Sequence, residues 1–411
     1  MALEHTARSA RRLGAEWQAA AAVAWRATLV SRALVIAAGA LAVVIWGVAD
    51  QAAGFDPRGV THGFGTWGDP LAATFARWDS TWYLAIAGDG YEPDPSRTAF
   101  FPLYPLLVRA GGWVLGSDIA AGVLVSVACL GGALVLLHRL TAIELDDAAA
   151  GATVWLIALF PMSFFFSAVY SEALYLLLSV AAIYAARTDR WAWAGCAGAL
   201  AALTRSAGVV LVVPLVLLWW RSRRRPADLA WVAAVPLGLL AYCVGLELAG
   251  MGFSDPFDAQ KTWLREFAGP FVAVWDGAVA AFQGARQLLS GQEQRVYFTK
   301  AGGDPIEVAR TNVMLFLFLC AAVPAVVGTL RRLPPAYGAY VVAALALPLS
   351  YPVGPQPLMS LPRFLAVLFP LFMWLGWRVS RRRRALPFVA AVSAALLAVF
   401  VAQFATWHWV A

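Results

Sequence analysis

Long stretches without a single charge limit this chain more than any other feature. No Asp, Glu, Lys or Arg occurs between Arg310 and Arg331, or from Ala385 to Ala411. A bilayer core of about 30 Å takes about 20 apolar residues per helix, and such runs recur along the sequence. Hydrophobic residues make up 61% of the chain and charged ones 13%, about half of the roughly 25% usual in soluble domains. Mean hydropathy is +0.69. This balance excludes a soluble enzyme, a disordered chain and a nucleic-acid binder, despite a net charge of +7.

The apolar runs predict an all-α polytopic membrane protein with about eleven spans. They fall near 27–48, 118–138, 150–168, 170–187, 191–204, 207–220, 228–249, 312–330, 336–352, 361–378 and 385–406. The first run is too long for a signal-peptide core and reads as a retained helix. Arginines at 221–225 and 378–384 sit in short connections, where a positive bias marks the cytoplasmic side. With the N-terminus in the cytoplasm, both clusters fall inside. The chain then reads as one integral domain, 1–411, with two long outer segments, 49–117 and 250–311. Outer segments of this length are usually functional.

Cys129, Cys196, Cys243 and Cys320 each lie in an apolar run and fit small buried residues rather than a metal site or disulfide framework. His5, His62, His138 and His408 show no metal-ligand spacing. Nothing in the sequence requires a cofactor, and a divalent ion is left open.

The first outer segment holds the densest signal, Arg77-Trp78-Asp79-Ser80-Thr81-Trp82-Tyr83-Leu84-Ala85-Ile86-Ala87. Trp78, Trp82 and Ile86 recur every four residues and predict one face of a short amphipathic helix at the membrane interface. Gly88-Asp89-Gly90 ends it. Asp89, Glu92 and Asp94 read as solvated turn residues. Aromatic side chains collect at interfaces in any membrane protein; an acid beside them does not. Asp79 is therefore either paired with Arg77 or poised for chemistry. Downstream, Phe100-Phe101-Pro102-Leu103-Tyr104-Pro105 reads as an interfacial or re-entrant element.

The run RWDSTWYLAIAGDGY followed by AFFPLYPLL resembles the signature of the PIG-V family. FPMSFFFSAVYSEALY at 160–175, ALTRSAGV at 202–209, DPFDAQKTW at 255–263 and SLPRFLAVLFPLF at 360–372 fit the same pattern in order. The resemblance implies a GT-C type glycosyltransferase fold. It implies a sugar taken from a polyprenyl-phosphate donor on the non-cytoplasmic side, with an outer-loop acid, here Asp79, as catalytic base. In a bacterial cell that side is the outer face of the plasma membrane. The acceptor would be a lipid-linked glycan or glycolipid.

That chemistry wants a base within reach of the acceptor hydroxyl and fixed cations for the leaving phosphate. Arg205, Lys261 and Arg363 are the cation candidates, each also readable as a snorkelling or paired residue. Glu172 could pair with Arg205, orient the acceptor or replace Asp79 as base. Arg77, Trp78 and Tyr83 surround Asp79 as substrate-binding candidates. Gln260, Lys261 and Trp263 fall in a predicted short helix that could form a lid, with Trp263 stacking on a sugar. Two other classes compete: a lipid or solute transporter, which would want a symmetric organisation and a midplane site, and a non-catalytic scaffold for a partner enzyme.

Overall fold

The computed structural model describes residues 2–410 other than 50–51, 57, 66–67, 70–72, 92–93, 223–224 and 292–303, with the backbone alone for 2–12, 52–53, 73 and 263. Glu92, Arg223, Arg224 and part of the 250–311 segment thus lie outside the described residues. The described chain is all-α; its extended pairing is limited to isolated bridges joining Arg265, Val353 and Gln356.

Among the described residues five helices are long and apolar enough to cross a membrane: Leu13–Trp46, Asp118–Glu144, Pro226–Leu248, Pro305–Arg332 and Ala385–Ala405. The apolar helices Leu103–Leu115, Asp147–Ala158, Trp191–Ala202, Ser206–Ser222 and Pro335–Leu349 are shorter. Each expected span coincides with a helix or with a broken pair of helices. At 1.5 Å per residue the short helices fall short of a bilayer core of roughly 30 Å.

The breaks have local causes. Pro370 has no N–H for the carbonyl of Ala366, and its ring would crowd that carbonyl. The expected 361–378 span accordingly divides into Leu361–Ala366 and Phe369–Ser380. The expected 150–168 span stops at Ala158, three residues before Pro161, and continues as the 3-10 turn Ser163–Phe166. A buried arginine serves that second break. Arg32 donates to the carbonyl oxygens of Ser163 (2.7 Å) and Ala158 (3.2 Å), and to Oγ of Ser167 (2.5 Å) and Ser163 (2.9 Å). Irregular backbone at membrane depth needs such internal partners, because lipid offers none.

Small residues bring the helices close. The backbone of Gly376 approaches helix Asp147–Ala158 so tightly that an added Cβ would lie 2.3 Å from Thr153 Oγ1. This is the close packing that membrane helices use where apolar burial gives no drive. The core runs through Leu130, Leu134, Leu137, Ile157, Phe166, Leu176 and Phe369, all essentially without exposure.

The structure divides its ion pairs between two ends. Glu16–Arg139, Glu144–Arg187 and Asp146–Arg381 occupy one. Arg187 and Arg381 close helices whose opposite ends, Glu172 and the turn after Ala366, lie near a second group described next.

Candidate functional site

Asp79 stands immediately before helix Ser80–Asp89. Aspartate is a favoured N-cap because its side chain can accept from the first helical N–H groups. Asp79 makes no such cap bond. Its Oδ2 instead accepts from Arg363 Nη1 at 2.6 Å. Trp78, just before it, takes φ 53°, a left-handed conformation costly for a bulky residue. Tyr170 holds this turn from both sides. Its hydroxyl accepts from the Asp79 backbone N–H (3.0 Å) and donates to the Arg77 carbonyl (3.1 Å).

The expected helical face from Trp78 to Ile86 is therefore corrected: the helix begins at Ser80, after the left-handed turn. Trp78 is buried among Phe55, Trp407 and Trp409. The helix does not lie at an interface with its aromatic side outward. Ser80, Tyr83, Leu84, Ile86 and Ala87 are all buried, because consecutive apolar residues leave it no wide polar face. Asp89, read from sequence as a solvated turn residue, pairs with Arg58 at an exposed position.

Arg77 is not the partner of Asp79 and does not line the cavity described below. Its Nε donates to the Ala405 carbonyl at 3.1 Å and its guanidinium lies 5.0 Å over Trp407. It fastens the Asp79 turn to the end of helix Ala385–Ala405.

Glu172 opens helix Glu172–Arg187 and is 1% exposed. An acid in the first helical turn is favoured by the helix dipole, and two cations complete its surroundings. Its Oε1 is bonded by Arg205 Nη1 and lies 3.2 Å from Arg363 Nε. Its Oε2 is buried without a hydrogen-bond partner among the described residues. Arg205 occupies the extended break between helix Trp191–Ala202 and the 3-10 segment Ser206–Leu211. Arg363 follows Ser360, which has φ 66°. The order in space is Asp79, Arg363, Glu172, Arg205, a chain of alternating charge drawn from four separate segments. Tyr83 supports it from below, its hydroxyl 2.8 Å from Ser171 Oγ. Burial pushes the Tyr83 phenol up to about 12, so it serves as a hydrogen-bonding group and not as a base.

A cavity of about 510 Å³ opens on this chain. Asp79, Tyr83, Arg205, Gln260, Arg265, Ser360 and Arg363 face it, with Trp78, Trp82 and Trp409 along the walls. Ala344, Leu347, Pro348, Phe364, Val367 and Leu368 give one side an apolar lining. A charged end joined to an apolar side suits a ligand with an anionic group on a lipid.

Of the second-loop candidates, Gln260 faces the cavity. Lys261 does not: its side chain is 76% exposed and bonds Asp258 at 2.7 Å. The backbone places Trp263 in the 3-10 segment Ala259–Trp263, and its side chain lies outside the described residues. Arg265 also faces the cavity and was not among the residues picked from sequence. Its environment is set first by desolvation, then by repulsion from Arg363, partly offset by attraction to Asp79, and its pKa falls to about 10. The next residue, Glu266, makes Arg265 read as half of an exposed loop pair. The signal that could have found it is its place just after the quoted DPFDAQKTW segment. No group of three His, Cys, Asp or Glu able to hold a metal ion occurs among the described residues.

Residues 65–217 match the family model described as mannosyltransferase (PIG-V). GPI alpha-1,6-mannosyltransferase 2 of Rattus norvegicus is 33% identical over 201 residues, covering 46% of this chain and 40% of the rat protein. The matched stretch, which is similar to the PIG-V mannosyltransferases, contains Asp79, Glu172 and Arg205; Arg265 and Arg363 lie outside the family match. The oligosaccharyltransferase of Archaeoglobus fulgidus is similar in structure. Its apo form gives TM-score 0.42 at 14% identity, covering 92% of this chain and 56% of that one. Its form tethered to an acceptor peptide gives 0.40 at 13%, covering 92% and 55%. The chain spans little more than half the length of these solved structures and less than half that of the rat relative.

Proposed function

We propose that this protein is a membrane glycosyltransferase, a mannosyltransferase that takes its sugar from a polyprenyl-phosphate donor. The acceptor is a hydroxyl of a lipid-linked glycan or glycolipid. The reaction takes place at the extracytoplasmic end of a multi-pass protein in the plasma membrane. The observation that carries this reading is Asp79, an acid at a helix start that forgoes capping and turns into a cavity beside Arg363. The family match over the same stretch supports the sugar class.

The acceptor oxygen attacks the anomeric carbon of the donor sugar. The bond from that carbon to the phosphate oxygen breaks, and its electron pair stays on the phosphate. Asp79 takes the acceptor proton as the new bond forms, which requires hydrogen-bond reach of the hydroxyl. Direct displacement inverts the anomeric centre. Glu172 is buried behind Arg205 and Arg363 and keeps both guanidinium groups aimed at the cavity; it is a positioning residue in this scheme. The apolar wall formed by Leu347, Phe364 and Leu368 receives the lipid.

The test is transfer of mannose by the purified protein from polyprenyl-phosphate mannose to a membrane-lipid acceptor extract, with the anomeric configuration of the product read by NMR. The expected product has the configuration opposite to the donor. A retained configuration rules out single displacement, and no transfer from any polyprenyl-phosphate sugar rules out the donor class.

A further inference from the structure

Among the described residues three guanidinium groups, Arg205, Arg265 and Arg363, and the carboxylate of Asp79 line the cavity, with Glu172 behind Arg205 and Arg363. Arg205 and Arg363 are both engaged by the carboxylates. Arg265 has no ion-pair partner among the described residues. We propose that Arg265 is the residue that binds the phosphate of the lipid-linked donor, an assignment that rests on the function proposed above. One excess positive charge is what a phosphodiester monoanion neutralises.

The backbone is built to hold Arg265 in place. Leu264, before it, is left-handed at φ 56°. Arg265 forms a bridge with Val353, which itself bridges to Gln356. The N–H of Ala268 donates to the Ser350 carbonyl at 2.9 Å. The second outer segment is thereby stitched to the loop that leads into Ser360 and Arg363. An arginine serving only solubility would carry its head into water. Arg265 instead brings a half-buried head to the cavity, and desolvation there lowers its pKa. An unpaired cation in such a place is costly unless an anion arrives to meet it.

The assignment fits the charge that develops. When the bond to the anomeric carbon breaks, the phosphodiester becomes a phosphomonoester and gains one negative charge. A fixed guanidinium in a water-poor site stabilises that charge strongly, and its planar fork suits two phosphate oxygens. Arg363 meanwhile stays with Asp79.

Binding of polyprenyl phosphate and of the matching polyprenol to wild type, Arg265→Gln and Arg265→Lys tests this, with Tm and the transfer assay run alongside. Wild type is expected to prefer the phosphate. Arg265→Gln is expected to lose that preference by at least about tenfold, the scale of one charge-assisted contact. Its polyprenol affinity and Tm stay the same, and its donor KM rises. Arg265→Lys recovers part of the loss. A glutamine variant that keeps the full phosphate preference while wild type transfers mannose overturns this assignment alone. Loss of polyprenol and phosphate binding together, with a lowered Tm and no rescue by lysine, shows a structural role and overturns it too. Wild type without phosphate preference and without transfer overturns both this assignment and the proposed function.

Discussion

At the scale of single residues, the site is made by side chains that decline their ordinary local partners. Asp79 sits where an aspartate usually caps a helix, yet it reaches Arg363. Of the five non-glycine residues with positive φ among the described residues, four, namely Trp78, Leu264, Ser360 and Trp407, lie on or within three residues of a cavity-lining group. Strained backbone collects where the surroundings over-determine it, and here it aims Asp79, Arg265, Arg363 and Trp409. Desolvation lowers the Arg265 pKa, repulsion from Arg363 and Arg205 adds to this, attraction to Asp79 partly offsets it, and it stands at about 10. It therefore loses its proton before an ordinary arginine does. Affinity for polyprenyl phosphate should fall as pH rises through about 10, while affinity for polyprenol stays level. Fluorescence titration at pH 8 to 11 checks this, and an unchanged phosphate affinity at pH 11 would contradict it.

Elements matter here through their interruptions. The sequence runs 150–168 and 361–378 read as single spans, and each is broken at a proline-bearing turn. The prolines were visible; the partner that makes the first break tolerable was not. Arg32 lies far away in sequence and looks like a charge at the edge of an apolar run. Only the packing shows that it bonds Ala158, Ser163 and Ser167. Glu172, Arg205 and Arg363 were legible as charges at the ends of apolar runs, Asp79 as an acid among interfacial aromatics, and Gln260 as part of a short helix in the second outer segment. Arg265 was not, since an Arg-Glu pair in a loop looks solvated. Trp78 was placed on the wrong element because four-residue spacing cannot reveal a left-handed turn. If Arg32 holds the turn that presents Tyr170 and Glu172, Arg32→Leu removes its donations to Ser163 and Ser167, at about 1–3 kcal/mol for each buried acceptor left without a partner. Thermal unfolding in detergent should show a clearly lowered Tm, and the transfer assay a lowered kcat, with Arg32→Lys restoring part of each. Wild-type Tm and kcat in the leucine variant would remove this role.

The whole molecule separates its charges by end. The arginine-rich connections carry pairs such as Arg187 with Glu144 and Arg381 with Asp146. The cavity gathers Asp79, Glu172, Arg205, Arg265 and Arg363 away from them. A transporter reading wants a midplane site from broken helices in repeated halves; here the charged groups come from helix starts and a helix break in separate segments. The positive-inside bias then predicts an extracytoplasmic cavity. Single cysteines at Thr262 and at Arg382, both exposed positions, test this in a chain with Cys196 and Cys320 replaced by serine. A membrane-impermeant thiol reagent on intact cells should label Thr262→Cys and spare Arg382→Cys. The reverse pattern would invert the orientation.

Chemistry at this site turns on Asp79 taking the acceptor proton. It is tested most directly by single-turnover transfer from polyprenyl-phosphate mannose with wild type beside Asp79→Asn, with donor binding measured on both. Loss of a general base slows the chemical step by about 10²- to 10⁴-fold. The predicted result is donor binding retained in the asparagine variant with transfer slowed on that scale. Transfer at near wild-type rate by a folded, donor-binding Asp79→Asn protein would contradict it.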